Sequence, residues 1–373
     1  MKRILFDNQI FRKQPYGGIS KYFTELLTGL KAHHVYKVLP KKFYSANVNL
    51  VTNNLTKLNR LRNAKFLPGR KSIERVIVKQ EELVTLDILQ SGKFDVFHPT
   101  YFNPYFLDNL PAKKPLVVTV HDMIHENYYS DHYEYLLDET YWKRRIIPRA
   151  NHIIAVSEYT KQQVLKYFPD FDAAKISVVY HGINPYPANG DVHTGLPEKY
   201  ILFVGVRKHY KNFIWLARAL APYLLQHNIT LLCAGATPID LYENEILQSL
   251  KLDKHVKQLP LHNNENIGDL YSKALCFVFP SAEEGFGIPI LEAFVSNCPV
   301  VLANSSCFPE IAGDAALYFD LTNKEEIVKQ IDKIINEPGV KDDLVAKGQE
   351  RAKLFTWEDT VAKHVEIYNS LLS

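Results

Sequence analysis

The chain has 373 residues, 46% of them hydrophobic and 23% charged, which is enough for two domains each with its own core. A formal net charge of +3 asks for no nucleic-acid partner, and no apolar run approaches the roughly 18–20 residues of a membrane span. Cys233, Cys276, Cys298 and Cys307 lack Cys-x-x-Cys and paired-His spacing, so they read as buried thiols in a reducing compartment, not as a disulfide or zinc framework.

The opening Met1-Lys-Arg-Ile-Leu-Phe-Asp7 has the length of a strand and not the form of a signal peptide, so a cytoplasmic protein is expected. Residues 4–6 are a first buried strand. After a polar loop, Gly17-Gly18 precedes Ile19, Tyr22, Phe23, Leu26, Leu27 and Leu30 at helical spacing. A glycine pair at this point is either a tight turn or a place where backbone amides approach a ligand; the dinucleotide fingerprint Gly-x-Gly-x-x-Gly is absent.

From 55 to 79, Lys57, Arg60, Arg62, Lys65, Arg70, Lys71, Arg75 and Lys79 stand against one acid, Glu74. Such a run is a solvated face or, with Leu58, Leu61, Phe66 and Leu67 interleaved, an amphipathic element lying on an anionic membrane or meeting a polyprenyl diphosphate. Residues 94–98 and 116–120 are two more strands, the second running into His121-Asp122. In doubly wound sheets that strand end is where ligands bind. His98 reads as structural, and Asp122 as a cap or a direct ligand. The stretch 128–141, with Tyr128, Tyr129, Tyr133, Tyr135 and Tyr141, has no assignment, while Ser157 reads as a helix cap after a strand beginning at 153.

A strand from 176 leaves the first domain, and Pro185, Pro187, Gly190, Gly195 and Pro197 mark the linker. Residues 200–205 open the second sheet. Arg207 and Lys211 then stand beside a strand-to-helix turn, as surface charge or as diphosphate ligands, Arg by its planar fork and Lys as a movable point charge. Further strands are expected at 231–235, 256–260, 275–279 and 299–303, and helices at 325–335, 344–354 and from Trp357.

After the strand at 275–279 comes a glycine turn and a helix. Gly285 and Gly287 bracket Phe286, and Pro289 after Ile288 pre-sets the first helical turn, so N–H groups at the positive end of the helix dipole form a phosphate cradle. Glu284 and Glu292 frame it, with seven residues between them. Phosphate repels a carboxylate, so each acid is better suited to accept hydrogen bonds from hydroxyls, one of a sugar and one of a ribose. The plainer alternative is that Glu292, read as lying in the first turn, complements the dipole and Glu284 caps a turn.

This string, from Phe277 to Phe294, resembles the Glu-x7-Glu motif of the retaining nucleotide-sugar enzymes of glycosyltransferase family 4, and other segments agree with it in order and spacing over nearly the whole chain. The resemblance implies an α/β, GT-B architecture: two doubly wound, Rossmann-like domains facing a central cleft. Residues 1–185 would be the acceptor side, with 357–373 packing back on them, and 186–356 the donor-binding side. It implies that Gly17 and Gly18 face the donor diphosphate, that His121 lies near the donor sugar, and that Arg207 and Lys211 hold the diphosphate. Glu284, Gly285, Phe286, Gly287, Ile288 and Glu292 would complete the donor site, with the base near Leu261 and His262. Asn297-Cys298 departs from the small residue usual before the next strand.

The implied reaction moves a hexose from GDP-mannose or a UDP-hexose to a hydroxyl of a glycan or polyprenyl-diphosphate-linked acceptor, in O-antigen, capsule or other surface-polysaccharide synthesis. His121, Glu284, Arg207 and Lys211 are the expected catalytic residues. Positive side chains and amides are expected to absorb the leaving charge, and neither metal nor cofactor is called for. Two carboxylates would also permit a covalent route to retention, but a same-face substitution fits Glu284 better as a sugar ligand. The rivals are a non-hydrolysing nucleotide-sugar epimerase and a nucleotide-sugar binding module without turnover.

Overall fold

The computed structural model describes residues 1–33, 35–57, 70–128, 139–186, 195–207, 209–235, 237–261 and 267–373, and of 70–80 and 209 the backbone alone. It forms two compact units, Met1–Gly182 with Trp357–Ser373, and Ile183–Thr356. The break precedes Pro185 because the Ile183 amide already donates to Phe355 O at 3.0 Å inside the second unit.

In the first unit β1 (Lys2–Phe6), β2 (Tyr36–Leu39) and β3 (Val96–His98) pair in parallel in the order β2-β1-β3. Strands β4 (Val117–Val120), β5 (His152–Ala155) and β6 (Ile176–Val178) follow in the order β4-β5-β6, and a parallel bridge between Phe97 and Leu116 links the two sheets. β4 is buried along its whole length, as an unbroken apolar run requires when both faces are covered. β2 lies outside the strands expected from sequence: it is an edge strand with Lys37 exposed, and its short alternation carries little signal.

The helix Gly18–Ala32 buries Tyr22, Phe23, Leu26, Leu27 and Leu30, the residues whose spacing announced it, each contributing about 1.5–3 kcal/mol. The helix Trp357–Ser370 packs against it. A Cβ on Gly29 would lie 2.4 Å from Val361 Cγ2, so the glycine permits the close approach. Tyr36 OH donates to Asn369 Oδ1 at 2.7 Å, and Tyr368 OH lies 2.7 Å from His98 Nδ1, which makes His98 structural.

In the second unit β7 (Tyr200–Val204), β8 (Thr230–Ala234), β9 (Val256–Leu259), β10 (Cys276–Phe279), β11 (Val300–Ala303) and β12 (Leu317–Phe319) form one parallel sheet in the order β12-β11-β10-β7-β8-β9. The chain winds outward from β7 through β8 to β9, then returns to β10 on the other side of β7. That reversal is a topological switch point, the place where open α/β sheets leave a crevice beyond the strand ends.

Most of the basic run at 55–79 lies outside the described residues or outside the described side chains; Lys57 sits 4.2 Å above the Tyr44 ring, and a helix spans Arg70–Ser91. Residues 129–138 of the tyrosine-rich stretch, and His262, also lie outside the description. Among the described residues no helix is long and apolar enough to cross a membrane. All four cysteines are buried and unbridged, and burial pushes the Cys233 and Cys276 thiols up to about 12.

Candidate active site

The two connections that leave the switch-point strands are tied to each other in the second unit. Ala282 N donates to Tyr210 O at 2.8 Å, and Asn212 Nδ2 donates to Pro280 O at 2.9 Å. Asn212 takes the left-handed conformation, at φ 55°, which its short polar side chain tolerates. Between these ties the Lys211 ammonium pairs with Glu284 Oε1, the two side chains 12% and 13% exposed. Lys211 also lies 5.0 Å from the centre of the Phe279 ring, so its charge sits over aromatic surface.

Beyond Glu284, the residues Gly285, Phe286 and Gly287 are buried, and Gly287 caps the helix Ile288–Val295 at φ 89°. Gly287 brings no side chain to the helix start and Pro289 brings no N–H. Glu292 is the fifth residue of this helix, not a first-turn residue as read from the sequence, so complementing the dipole is not its role. It is buried, and Tyr186 OH donates to Oε1 at 2.6 Å and Tyr271 OH, from the helix Ile267–Lys273, to Oε2 at 3.2 Å. Each carboxylate oxygen keeps a further lone pair for a ligand hydroxyl.

Arg207 takes a different direction from Lys211. Its Nε bonds Glu243 Oε1 at 2.9 Å, and Nη2 donates to Thr237 O and Pro238 O at 2.9 and 2.6 Å, while Nη1 is buried with no partner among the described residues. The pair is deep, at 3% and 9% exposure. Thus the structure joins Lys211 to Glu284 and sets Arg207 on the β8 side of the same turn. Glu243 was missed in the sequence, although Asp240-x-x-Glu243 has the form of the capping box that it makes, Asp240 Oδ1 accepting from Glu243 N at 2.8 Å and Glu243 Oε2 from Asp240 N at 3.0 Å. Tyr186 and Tyr271 were missed too, and nothing in their local pattern marks them.

In the first unit, His121 follows β4 and stacks on His181, the ring centres 5.8 Å apart, with Tyr22 edge-on at 5.1 Å. Burial, then the nearby Lys143 ammonium, push its pKa down to about 3, so the ring is neutral at physiological pH. Its Nε2 is buried with no partner among the described residues. Asp122 turns the chain, its Oδ1 accepting from Ile124 N at 3.1 Å, and Ser157 caps the helix Glu158–Tyr167.

Gly17 is in extended backbone that any residue adopts, at φ 167°, and Gly18 starts the helix Gly18–Ala32. The amide side of that helix start is already served by Gln14, whose Oε1 accepts from Ser20 N at 3.3 Å; a Cβ on Gly17 would lie 2.5 Å from the same oxygen. Among the described residues no three His, Cys, Asp or Glu side chains are grouped to hold a metal ion.

Comparison with known proteins covers both units. Residues 16–186 match the family model described as Glycosyltransferase Family 4, and residues 192–351 the one described as Glycosyl transferases group 1. The chain is 28% identical over 228 residues to the O-antigen chain mannosyltransferase RfbU of Salmonella typhimurium, a match spanning 60% of this chain and 63% of that protein. It is 25% identical over 303 residues to O-antigen chain mannosyltransferase B of Escherichia coli, spanning 76% of each. Among solved structures, sucrose-phosphate synthase from Thermosynechococcus elongatus superposes with a TM-score of 0.74 at 19% identity, over 100% of this chain and 99% of that one. HepE from Anabaena, solved with UDP and glucose, gives 0.71 at 17% identity, over 99% and 100%. At these identities the structural likeness concerns the fold.

Proposed function

The chain belongs to glycosyltransferase family 4 and has the GT-B fold, and on that footing we propose that it transfers a hexose from a nucleoside-diphosphate sugar to an acceptor hydroxyl with the anomeric configuration retained. Mannose is the favoured sugar and a surface glycan the favoured product, because RfbU and mannosyltransferase B carry those names; a UDP-hexose is the second donor, by likeness to HepE.

The observation that carries the reading is the Lys211–Glu284 pair at the switch point. A cation and an acid held there meet the two halves of a sugar diphosphate. On donor binding Lys211 turns to the phosphates and Glu284 accepts from sugar hydroxyls. As the glycosidic bond breaks, charge grows on the departing diphosphate, and Lys211, Arg207 and the amides leading into Ile288 stabilise it without a metal ion. Glu292 takes the ribose, and the neutral His121 of the first unit offers Nε2 to a sugar hydroxyl. Contact of the basic run at 55–79 with an anionic membrane surface belongs to the same proposal, as does a polyprenyl-diphosphate-linked acceptor, and binding to anionic vesicles checks it.

Isothermal titration with GDP-mannose and UDP-glucose, followed by NMR of the anomeric proton of the product formed in EDTA, tests the reading. Donor binding and an unchanged anomeric configuration are expected. An inverted product, or transfer that stops when divalent ions are removed, would overturn the retaining, metal-free form of it.

A further inference from the structure

A lysine is buried beside the turn that carries His121. Lys143 stands on the helix Tyr141–Ile146, and its side chain is 1% exposed. The ammonium donates to Asp122 O at 2.9 Å and to Glu126 Oε2 at 2.9 Å, lies 3.9 Å from Asp122 Oδ1, and sits 5.4 Å from the centre of the Phe102 ring. Glu126, on the helix Ile124–Tyr128, has its side chain 3% exposed, and its Oε1 has no partner among the described residues.

Such a pair does little for stability. Taking two charges out of water costs about as much as their attraction returns, and an apolar pair of the same volume would join the two helices equally well. What an apolar pair could not do is bond the Asp122 carbonyl. That carbonyl belongs to the residue directly after His121, where β4 has ended and the chain turns into the helix Ile124–Tyr128. Asp122 Oδ1 accepts from Ile124 N within the turn, and the ammonium fixes the same residue from outside it. The His121 ring itself meets rings, His181 at 5.8 Å, Tyr22 at 5.1 Å and Phe23 at 6.0 Å between centres, while its Nε2 has no partner among the described residues.

We propose that Lys143, its ammonium held in place by Glu126, is a positioning residue for the transfer: it pins the Asp122 peptide and so sets the direction in which His121 presents Nε2 to the donor sugar. The inference rests on the glycosyltransferase reading for the sugar, and on the first unit alone for the pinning. At 1% exposure the ammonium is out of reach of a ligand, so it acts through the turn. Its charge works in the same sense, because after burial it is the next cause that keeps His121 neutral. The other titratable groups about that ring are Tyr22, His98 and His181, with Asp122 and Glu126 at the turn.

The test uses the double variant Lys143→Met/Glu126→Leu, which removes both charges and nearly keeps the volume. Its urea midpoint, read by circular dichroism, is expected to match or exceed that of the wild type, and its Kd for a nucleoside diphosphate to stay unchanged. Its kcat is nevertheless expected to fall by about tenfold or more. NMR of histidine-labelled protein should show His121 neutral down to about pH 5 in the wild type, and taking up a proton between about pH 5 and 7 in the double variant. Lys143→Met alone should lose the same activity and stability as well, since it leaves Glu126 buried without its cation. Transfer at the wild-type rate by the double variant, or a His121 ring that stays neutral in it, overturns the proposal. So does a double variant that cannot fold, because the pair would then hold the unit together and not the turn. Failure of every nucleoside-diphosphate sugar to bind the wild type would instead remove the glycosyltransferase reading and leave the pinning of His121 to be judged by the histidine spectra.

Discussion

Lys211 and Glu284 neutralise each other across the two connections that leave adjacent strands, β7 and β10. Removing either partner strips a charge from the site and strands the other at low exposure. Glu284→Gln and Lys211→Met are each expected to lower the rate of transfer by about 10²–10³, the scale of losing one electrostatic contact to a transition state. Stability should fall by only about 1–2 kcal/mol, since the pair is not fully desolvated. The double variant is expected to regain part of that stability and none of the activity. Near-normal transfer by either single variant, in a single-turnover assay, would exclude that residue from the site.

Glu243 carries a different burden. It bonds the buried Arg207 guanidinium and closes a capping box, so Glu243→Ala is expected to cost about 3–5 kcal/mol, more than any change at Lys211. Urea unfolding followed by circular dichroism gives the comparison. A Glu243→Ala midpoint at or above that of Lys211→Met would contradict the buried-pair argument.

Tyr186 and Tyr271 fix the Glu292 carboxylate from two sides. Tyr186→Phe is expected to raise the Kd for a nucleoside diphosphate by about 10- to 100-fold, as the loss of one hydrogen bond to a charged group implies, while kcat changes little. Calorimetry with GDP and UDP reads the effect. A fall in kcat at unchanged Kd would mean that Glu292 acts on the reacting sugar and not on the ribose.

Around Tyr22 four histidines are buried: His121 and His364, with pKa values lowered to about 3 and about 4, and His98 and His181, held well below the ordinary value, all mainly by burial. Tyr22 OH is 2.6 Å from His364 Nε2, and His98 Nε2 is 2.9 Å from Thr119 Oγ1. Each ring binds a proton more tightly when unfolded, so its contribution is complete above about pH 6.5 and is lost as pH falls through the window down to the folded values. Stability should fall by up to about 1.4 kcal/mol per pH unit for each histidine below that point. The melting temperature is expected to hold between pH 8 and 7 and drop steeply between 6 and 4. A flat profile down to pH 4.5 would show that the cluster is charged or solvated in the folded protein.

What the sequence made legible was whatever depends on local pattern. The apolar runs that became β4, β7, β8, β10 and β11, the helical stripe from Ile19 to Leu30, and the Ser157 cap were all readable, because burial on both faces or on one stripe writes itself into consecutive residues. The short β2 and β12, each at the edge of its sheet, were not. Partners distant in sequence were equally hidden. Glu284 and Glu292 could be singled out by their spacing, but the ties from Lys211, Tyr186 and Tyr271 exist only once parallel strands bring separate loops to the same end of the sheet. The place of Glu292 within its helix was misjudged because the helix begins at Ile288, one residue before Pro289, which makes Glu292 its fifth residue.

The first unit is written in two pieces, with Ile183–Thr356 interposed before Trp357–Ser373 returns to it. During synthesis, Gly29 and the Tyr22 ring therefore wait for a covering helix that the ribosome makes only after the second unit, a delay of roughly 10–35 s at ordinary elongation rates. Over that interval the nascent first unit displays an apolar furrow to the cell, which makes it the part of this polypeptide for which a holding chaperone has most to do.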